Sequence, residues 1–337
     1  MAHRLLLLII LLFPKSSIRC QDVLLNQFMR CAIYTNPALT GTGRDSLNNP
    51  GGRLSSLYRN QWSLPTSNPY TTNYLSYDQV LSDGFGSFGG YFIYDAAGKN
   101  GAFQTTQFNA TYAYTIPIVT QQSAVRFGMS LGYKNQGVDV AKLRFEDQID
   151  FTRGVVINTS EVLQSARVSN ADINVGAVYY NRSQFFGVSV HNVNKPTFNF
   201  LGSIENVVNR RFGVIYGVTK INNQSVKAIK VFKFNSAFYI QDQNTQLNMA
   251  VYVGDKNLSL GIGARFCRSF EFATDAAVAT LVYNLKNFDF YYGFEYTTSK
   301  LRTFAPVSHE VGMQIPISIS KYFKQQIRTF GTLNFPN

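Results

Sequence analysis

Between Val125 and Tyr133 the side chains alternate without a break. Val125, Phe127, Met129, Leu131 and Tyr133 share one face of an extended strand, and Arg126, Gly128, Ser130 and Gly132 share the other. The same sense of alternation returns near the C-terminus, where Phe288, Phe290, Tyr292, Phe294 and Tyr296 are interleaved with Asn287, Asp289, Gly293 and Glu295. It appears again where Leu258, Leu260, Ile262, Ala264 and Phe266 alternate with Asn257, Ser259, Gly261, Gly263 and Arg265. A soluble sheet needs a covering layer over such a face, and no other part of this chain supplies one. Alternating segments of about 9–11 residues bounded by turn residues describe the strands of a transmembrane β-barrel, whose apolar face meets lipid.

Fourteen such stretches are predicted, at 52–62, 70–81, 85–94, 103–116, 123–135, 170–180, 184–192, 210–220, 227–240, 245–254, 257–266, 269–283, 287–297 and 308–319. An even number suits a single-chain outer-membrane barrel. Alternate connections are short: Ser82-Asp83-Gly84, Pro117 to Gln122, Asn181-Arg182-Ser183, Ile221 to Ser225, Asp255-Lys256 and Asn284-Leu285-Lys286. The two longest, Gln136 to Ser169 and Val193 to Asn209, belong to the opposite parity, with the short Gln241 to Asn244 and Cys267-Arg268 beside them. The fold class expected is all-β, a transmembrane antiparallel β-barrel of about 14 strands with short periplasmic turns and longer extracellular loops.

Charged residues make up only 15% of the chain and aromatics another 15%, where a soluble protein carries about 25% charged residues. No run after the first residues approaches the eighteen apolar residues of a helical span, so a barrel is the form in which this chain can cross a membrane. Residues 1–20 carry Arg4 near their start, run apolar from Leu5 to Phe13 and end in polar residues up to Cys20, the pattern of a secretory signal peptide. Acylation on Cys20 is the weaker reading, because Arg19 occupies a position that favours a small residue. Loss of Arg4, Lys15 and Arg19 with that segment lowers the net charge of +12 by three. The remaining basic balance fits acidic lipid headgroups or an acidic partner rather than nucleic acid.

The domain plan is then a signal peptide at 1–20, a polar lead-in or lumen plug at 21–50, a barrel at 51–325 and a tail at 326–337. Strand parity places Arg126, Lys134, Asp172, Lys233, Arg265, Glu271, Asp275, Asp289 and Glu295 in the lumen, with both signs present for ion pairing.

Little in the sequence supports catalysis. His191 and His309 are the only histidines beyond the signal segment. In Ser308-His309-Glu310 the neighbouring serine and histidine point to opposite faces of a strand and cannot act as nucleophile and base. Cys-x-x-Cys, His-x-x-x-His and EF-hand patterns are absent, and Asp147-Gln148-Ile149-Asp150 is a solvated loop pair rather than a calcium site. Gly84, Gly86, Gly89 and Gly90 lie on an alternating strand, with no helix following to cradle a phosphate. Cys31 and Cys267 are read as free thiols, with pairing across the chain the alternative. No cofactor or metal is expected.

An ordered set of short motifs runs through the chain. It comprises Gln21-Asp22, Asn26-Gln27-Phe28, Asn36-Pro37-Ala38 and Gly41, then Tyr58-Arg59-Asn60-Gln61-Trp62 and Asp95-Ala96-Ala97-Gly98. It continues through Gln148 to Phe151, Gly176-Ala177-Val178-Tyr179-Tyr180 and Phe185 to Val190, and closes with Ser308-His309-Glu310. In order and spacing this set resembles the PorP/SprF family of Bacteroidetes outer-membrane proteins over nearly the whole chain beyond residue 20. The sequence departs at Met29 to Thr35, where Cys31 interrupts a more aromatic stretch, and before Gln21, where the customary alanine is missing.

The resemblance implies a cell outer membrane location and a non-enzymatic role in type IX secretion and gliding motility. Some members of that family are core components, and others serve one secreted protein. The implied partners are a secreted cargo such as a large adhesin, or its C-terminal domain, other type IX secretion components and outer-membrane lipid, with no nucleic acid. The motif residues carried over as structural or partner-binding are Asn36, Pro37, Gly41, Tyr58, Arg59, Gln61, Trp62, Ser308, His309 and Glu310. For Trp62 the stronger reading is an interfacial aromatic at a strand end, and for Arg59 a lumenal ion pair. Two other functions compete: a passive channel or transporter for small solutes, and, least favoured, an outer-membrane hydrolase using His309 or His191.

Overall fold

A computed structural model of the chain describes residues 22–23, 25–42, 51–64, 70–81, 86–98, 101–118, 123–143, 149–150, 154–155, 166–181, 183–198, 206–221, 231–255, 257–268, 272–285, 287–303 and 306–318. The signal segment, the tail, Glu271 and several predicted turns lie outside the described residues.

Fourteen antiparallel strands close into a single barrel. They are β1 (Gly51–Leu64), β2 (Tyr70–Val80), β3 (Ser87–Ala97), β4 (Phe103–Ile118), β5 (Ser123–Val138), β8 (Ala166–Tyr180), β9 (Gln184–His191), β12 (Arg211–Ile221), β13 (Val231–Gln241), β14 (Asn244–Gly254), β15 (Leu258–Arg268), β16 (Phe272–Asn284), β17 (Asp289–Thr297) and β18 (Val307–Ser318). Two hairpins of two-residue strands occupy the two long connections: β6 (Ile149–Asp150) with β7 (Gly154–Val155), and β10 (Thr197–Phe198) with β11 (Asn206–Val207). Each barrel strand pairs with its sequence neighbour, and β1 pairs with β18 to complete the circle. Closure leaves no strand edge unpaired, which a membrane interior demands. Among the described residues no helix is long and apolar enough to cross a membrane.

The strand count agrees with the sequence pattern. At the loop end β5 and β8 run beyond their expected limits of 135 and 170, because pairing continues from Lys134↔Asn170 up to Val138↔Ala166. Polar residues there keep their ladder hydrogen bonds above the apolar band, so the long connection is shorter than expected. The opposite deviation occurs at β17, which begins at Asp289 rather than at 287.

The two ends of the barrel differ. At one, called here the turn end, Asn181 Oδ1 accepts from Ser183 N and Gln184 N, each at 2.9 Å, and Asp255 Oδ1 accepts from Asn257 N at 2.7 Å and Leu258 N at 2.8 Å. These are the Asx turns that such residues favour. The opposite, loop end carries both small hairpins and one tight connection. There Gln241 pairs directly with Asn244, and Asp242 adopts φ 55°, as a two-residue hairpin turn requires.

The faces follow the alternation. Phe127 is 53% exposed, Leu131 50% and Ile262 74% on the outside, while Arg126 and Ser130, each preceding one of the first two, are buried. Of the charges expected in the lumen, Arg126, Lys134, Asp172, Arg265, Asp289 and Glu295 are buried, and Lys233 and Asp275 are half-buried.

Two ladders are interrupted. Between β15 and β16, Arg265 pairs with Ala276 and Phe266 with Thr274, so Asp275 is the extra residue of a bulge. Between β1 and β18 the register jumps from Asn60↔His309 to Leu64↔Val307. Trp62 lies in that jump with φ 61°, rare for a non-glycine residue.

A lumenal insert gripped by charged wall residues

Residues 22–23 and 25–42 lie inside the barrel, with Asp22 toward the loop end and Gly41 toward the turn end. A single helical turn, Ala32–Thr35, is followed by a 3-10 turn, Pro37–Leu39. Asn36 joins them: its Oδ1 accepts from Ala38 N at 2.9 Å while Pro37 begins the second turn with its fixed φ. The Asn36 amide also donates to Val188 O at 2.9 Å, fixing this corner to the wall.

The insert has two apolar sides and packs both. Phe28, Ala32, Ala38 and Leu39 meet Val178, Tyr180, Phe185, Ile215, Ala237 and Tyr239. Leu25, Cys31, Ile33 and Tyr34 meet Leu57, Tyr74, Tyr91, Ile93, Val282 and Tyr291. An inward face that reads as polar thus contains apolar residues because the insert covers them. Where the backbones come closest, the wall is glycine. A Cβ on Gly128 would overlap the Pro37–Ala38 backbone, and one on Gly176 would overlap the Asn36 amide.

Polar contacts fall into three groups along the lumen. The first is at the loop end, where Asp22 sits among four strands. Its Oδ1 is 2.5 Å from Lys134 Nζ, its Oδ2 accepts from Asn192 Nδ2 at 2.5 Å and Gln241 Nε2 at 3.3 Å, and Arg211 Nε lies 3.9 Å away. Burial alone would raise the Asp22 carboxyl, but Lys134 and Arg211 outweigh it and hold the group ionised, well below the usual carboxylate range.

The second group straddles the seam where the barrel closes. Arg59 and Glu310 are register partners across β1 and β18. Arg59 Nη1 is 2.6 Å from Glu310 Oε1, and Nη2 is 3.0 Å from Glu295 Oε2. Glu310 also accepts from two successive insert amides, Asn26 N at 2.9 Å and Gln27 N at 3.1 Å. Arg265 bonds Glu295, reaches Asn26 Oδ1 at 3.0 Å and pairs with the bulged Asp275 at 2.7 Å. Two arginines and three carboxylates from five strands therefore converge on one turn of the insert, and buried charges persist only when paired in this way.

The third group lies at the turn end. Arg126 Nε donates to Ala38 O at 2.9 Å and its Nη2 to Thr40 O. Asp78 takes Arg53 through two bonds of 2.9 Å and accepts from Gly41 N at 2.6 Å. Gly41 has φ 76°, and a Cβ there would overlap Ser87. The position needs glycine for both reasons.

The motif residues separate into two sets. Asn36, Pro37 and Gly41 belong to the insert, and Arg59, Ser308 and Glu310 point inward. Tyr58 and His309 point outward; His309 Nδ1 lies 2.8 Å from Tyr292 OH, and its ring is 5.5 Å from that of Phe294. At the loop end of β1, Gln61 pairs with Tyr70, Trp62 packs on the Tyr70 ring at 4.9 Å, and its amide donates to Ser308 Oγ at 3.2 Å. Asp22, from the Gln21-Asp22 motif, completes the grip together with Arg53, Asp78, Lys134, Arg211, Arg265 and Glu295, which lie outside the motifs. The available signal was a charge on the inward parity of an otherwise apolar strand.

No reactive constellation forms among the described residues. Ser308 and His309 face opposite sides, as their adjacency dictates. His191 is buried with Nε2 3.2 Å from Thr35 O. Cys31 and Cys267 are both free thiols, and burial pushes the Cys31 thiol well above its ordinary range. No group of three metal-binding side chains occurs among the described residues.

A sequence profile described as "Type IX secretion system membrane protein PorP/SprF" matches residues 17–315. The chain belongs to the PorP/SprF family. As a PorP/SprF barrel it resides in the outer membrane, so the turn end faces the periplasm and the loop end the cell exterior. No curated protein matches its sequence. Among solved structures it is similar to Omp33 of Acinetobacter baumannii, with 7% identity, a TM-score of 0.44 and coverage of 81% of this chain and 100% of that one. BamA of Haemophilus ducreyi lacking POTRA domains 1–3 gives 10% identity and a TM-score of 0.42 over 79% of this chain and 70% of that one. A mutant porin of Rh. blastica gives 10% identity and a TM-score of 0.34, covering 80% and 99%.

Proposed function

We propose that this PorP/SprF protein acts without catalysis in type IX secretion, binding one exported cargo, such as a large adhesin or its C-terminal domain, through its loop-end surface. It retains that cargo on the cell or helps it outward, alongside other components of the secretion system. A role in gliding motility follows where the cargo is an adhesin. The observation that carries this reading is the filled lumen. Residues 22–23 and 25–42 fill it, and Lys134, Arg59, Arg265, Arg126 and Arg53 are engaged with the insert or with carboxylates. A solute channel needs wall charges that face water, so the passive-channel reading has less support.

The deciding experiment compares the surface and secreted proteins of cells with and without this gene. Loss of one surface protein, or its release into the medium, is expected for a dedicated partner; loss of many together marks a core component. An unchanged set would overturn the secretion reading. The binding surface is tested separately by replacing residues 144–163 with a short glycine turn, a change expected to abolish cargo display while the barrel still assembles. Display that survives the deletion assigns the surface elsewhere.

A further inference from the structure

At the loop end β8 outruns one of its neighbours. It pairs with β5 along its whole length, from Tyr180 to Ala166, but with β9 only from Tyr180 to Val175. Residues 166–174 therefore rise toward the cell exterior with no barrel strand on their second side.

The connection after β9 takes up the lower part of this edge. Val193 N donates to Ile173 O at 2.9 Å, and Asn194 Nδ2 donates to Ala171 O at 2.7 Å. Those two contacts also fix the direction of the ladder. In an antiparallel strand the main-chain groups of alternate residues point to the same side. Ser169 and Arg167 thus aim their N–H and C=O groups where Ala171 and Ile173 do, away from β5. Beyond Ala171 the connection turns aside: Thr197 and Phe198 pair with Val207 and Asn206, and Asn170 reaches Thr197 O through its side chain at 2.6 Å. Among the described residues no strand pairs with the edge at Ser169 and Arg167.

This edge stands in water and is basic. The Tyr133 hydroxyl, at the top of the outward apolar face of β5, donates to Ser169 Oγ, which puts Ser169 and Arg167 above the apolar band. Arg167, Lys195 and Arg210 are exposed. Arg210 is held beside the edge by its Nε, which donates to Val193 O at 3.0 Å, and Lys195 closes a turn through its N–H on Asn192 O at 3.0 Å. Among the described residues none of the three cations pairs with a carboxylate.

We infer that the upper part of β8 is an extracellular docking edge that accepts an extended, acidic segment of a protein partner as an added strand. The backbone of that segment pairs with Ser169 and Arg167, and its carboxylates face Arg167, Lys195 and Arg210. Lipid phosphates would meet the cations and leave the main-chain groups open; a polypeptide satisfies both. That the partner is the exported cargo rests on the function proposed above; the edge and its charge do not.

Photo-crosslinking in intact cells tests the edge. Benzoylphenylalanine is placed at Ala171, which is exposed just below the open groups, and the linked product is mapped by mass spectrometry. The expected product is an acidic segment of one protein. Ser169→Pro deletes an N–H on the open side and no bond to β5, a change that an edge strand tolerates, and is expected to abolish the product. Ser169→Ala, which keeps the N–H and loses only the hydroxyl, is expected to retain it. Arg167→Glu with Lys195→Glu leaves the backbone untouched and is also expected to abolish the product, which keeps the test decisive should the proline variant fail to assemble. No linked protein, a link to lipopolysaccharide instead, or a protein link that persists in either assembled variant overturns the inference. A linked protein that remains on the surface of cells lacking this gene refutes the cargo reading and leaves the docking edge standing.

Discussion

Arg59 and Glu310 face one another across the line where the first and last barrel strands meet, with 2.6 Å between Nη1 and Oε1. The same Glu310 carboxylate holds the amides of Asn26 and Gln27. A single side chain thus links closure of the barrel to seating of the insert. Residues 251 positions apart are joined at the seam, and residues 284 apart at the insert.

Glu310→Gln tests this link. The amide can still accept one hydrogen bond, but it leaves the Arg59 charge with Glu295 alone, in a site where both arginine and carboxylate are about 1% exposed. Breaking a buried pair on one side costs about 3–5 kcal/mol, because the remaining charge loses its compensation. A lower unfolding temperature in detergent micelles is expected, with protease sensitivity appearing first at 22–42. The double change Arg59→Met with Glu310→Gln removes both charges and is expected to recover part of the loss.

The barrel was legible in the sequence because its determinant is local. Alternation with period two declares a strand and its inward face within ten residues, so Arg126, Lys134 and Glu295 could be assigned to the lumen before any pairing was known. The grip on the insert was not legible in that way. Its contacts join Asp22 to Gln241 and Asn26 to Glu310, at separations no local pattern encodes. The apolar inward residues Val178, Ile215 and Val282 interrupt the polar face without revealing what covers them. The loop-end limits of β5 and β8 are hidden for a related reason: beyond the apolar band the ladder continues with polar side chains, and the alternation that marks a strand fades although the hydrogen bonds do not.

Gly176→Leu is expected to separate insert from barrel. Its side chain would occupy the space of the Asn36 amide, which bonds Val188 O across a wall that has no room. Overpacking costs about 1–3 kcal/mol when the structure must absorb it. Here the insert can leave instead while all strand ladders persist. In planar bilayers the native protein is expected to be silent and this variant to conduct. The Cys31 thiol, buried and unreactive in the native protein, then becomes open to alkylation.

His309 offers the contrasting case, one residue from Glu310 and on the opposite face. It touches Tyr292 and Phe294 on the exterior and has no contact with the insert among its described partners. His309→Phe forfeits one hydrogen bond, worth about 1 kcal/mol, and keeps the ring packing. Thermal unfolding is expected to shift far less than for Glu310→Gln, and the insert to remain protected from protease.

The Asp22 clasp predicts how the insert responds to acid. Its carboxyl is held below the ordinary range in the folded protein, so it binds protons less readily than in the unfolded chain, where its pKa is about 3.9. Such a group contributes its full stability above the unfolded value, and that contribution declines as pH falls below it. Protection of residues 22–27 in hydrogen exchange is therefore expected to be flat from neutral pH down to about pH 5 and to weaken in stronger acid. Asp22→Asn removes the carboxylate that Lys134 and Arg211 share. In that variant the outer end of the insert should be loose even at neutral pH, with no further weakening from this site in acid, while the Gly41 end stays protected by Asp78. Equal acid sensitivity in the variant and the native protein would assign the titration to another group.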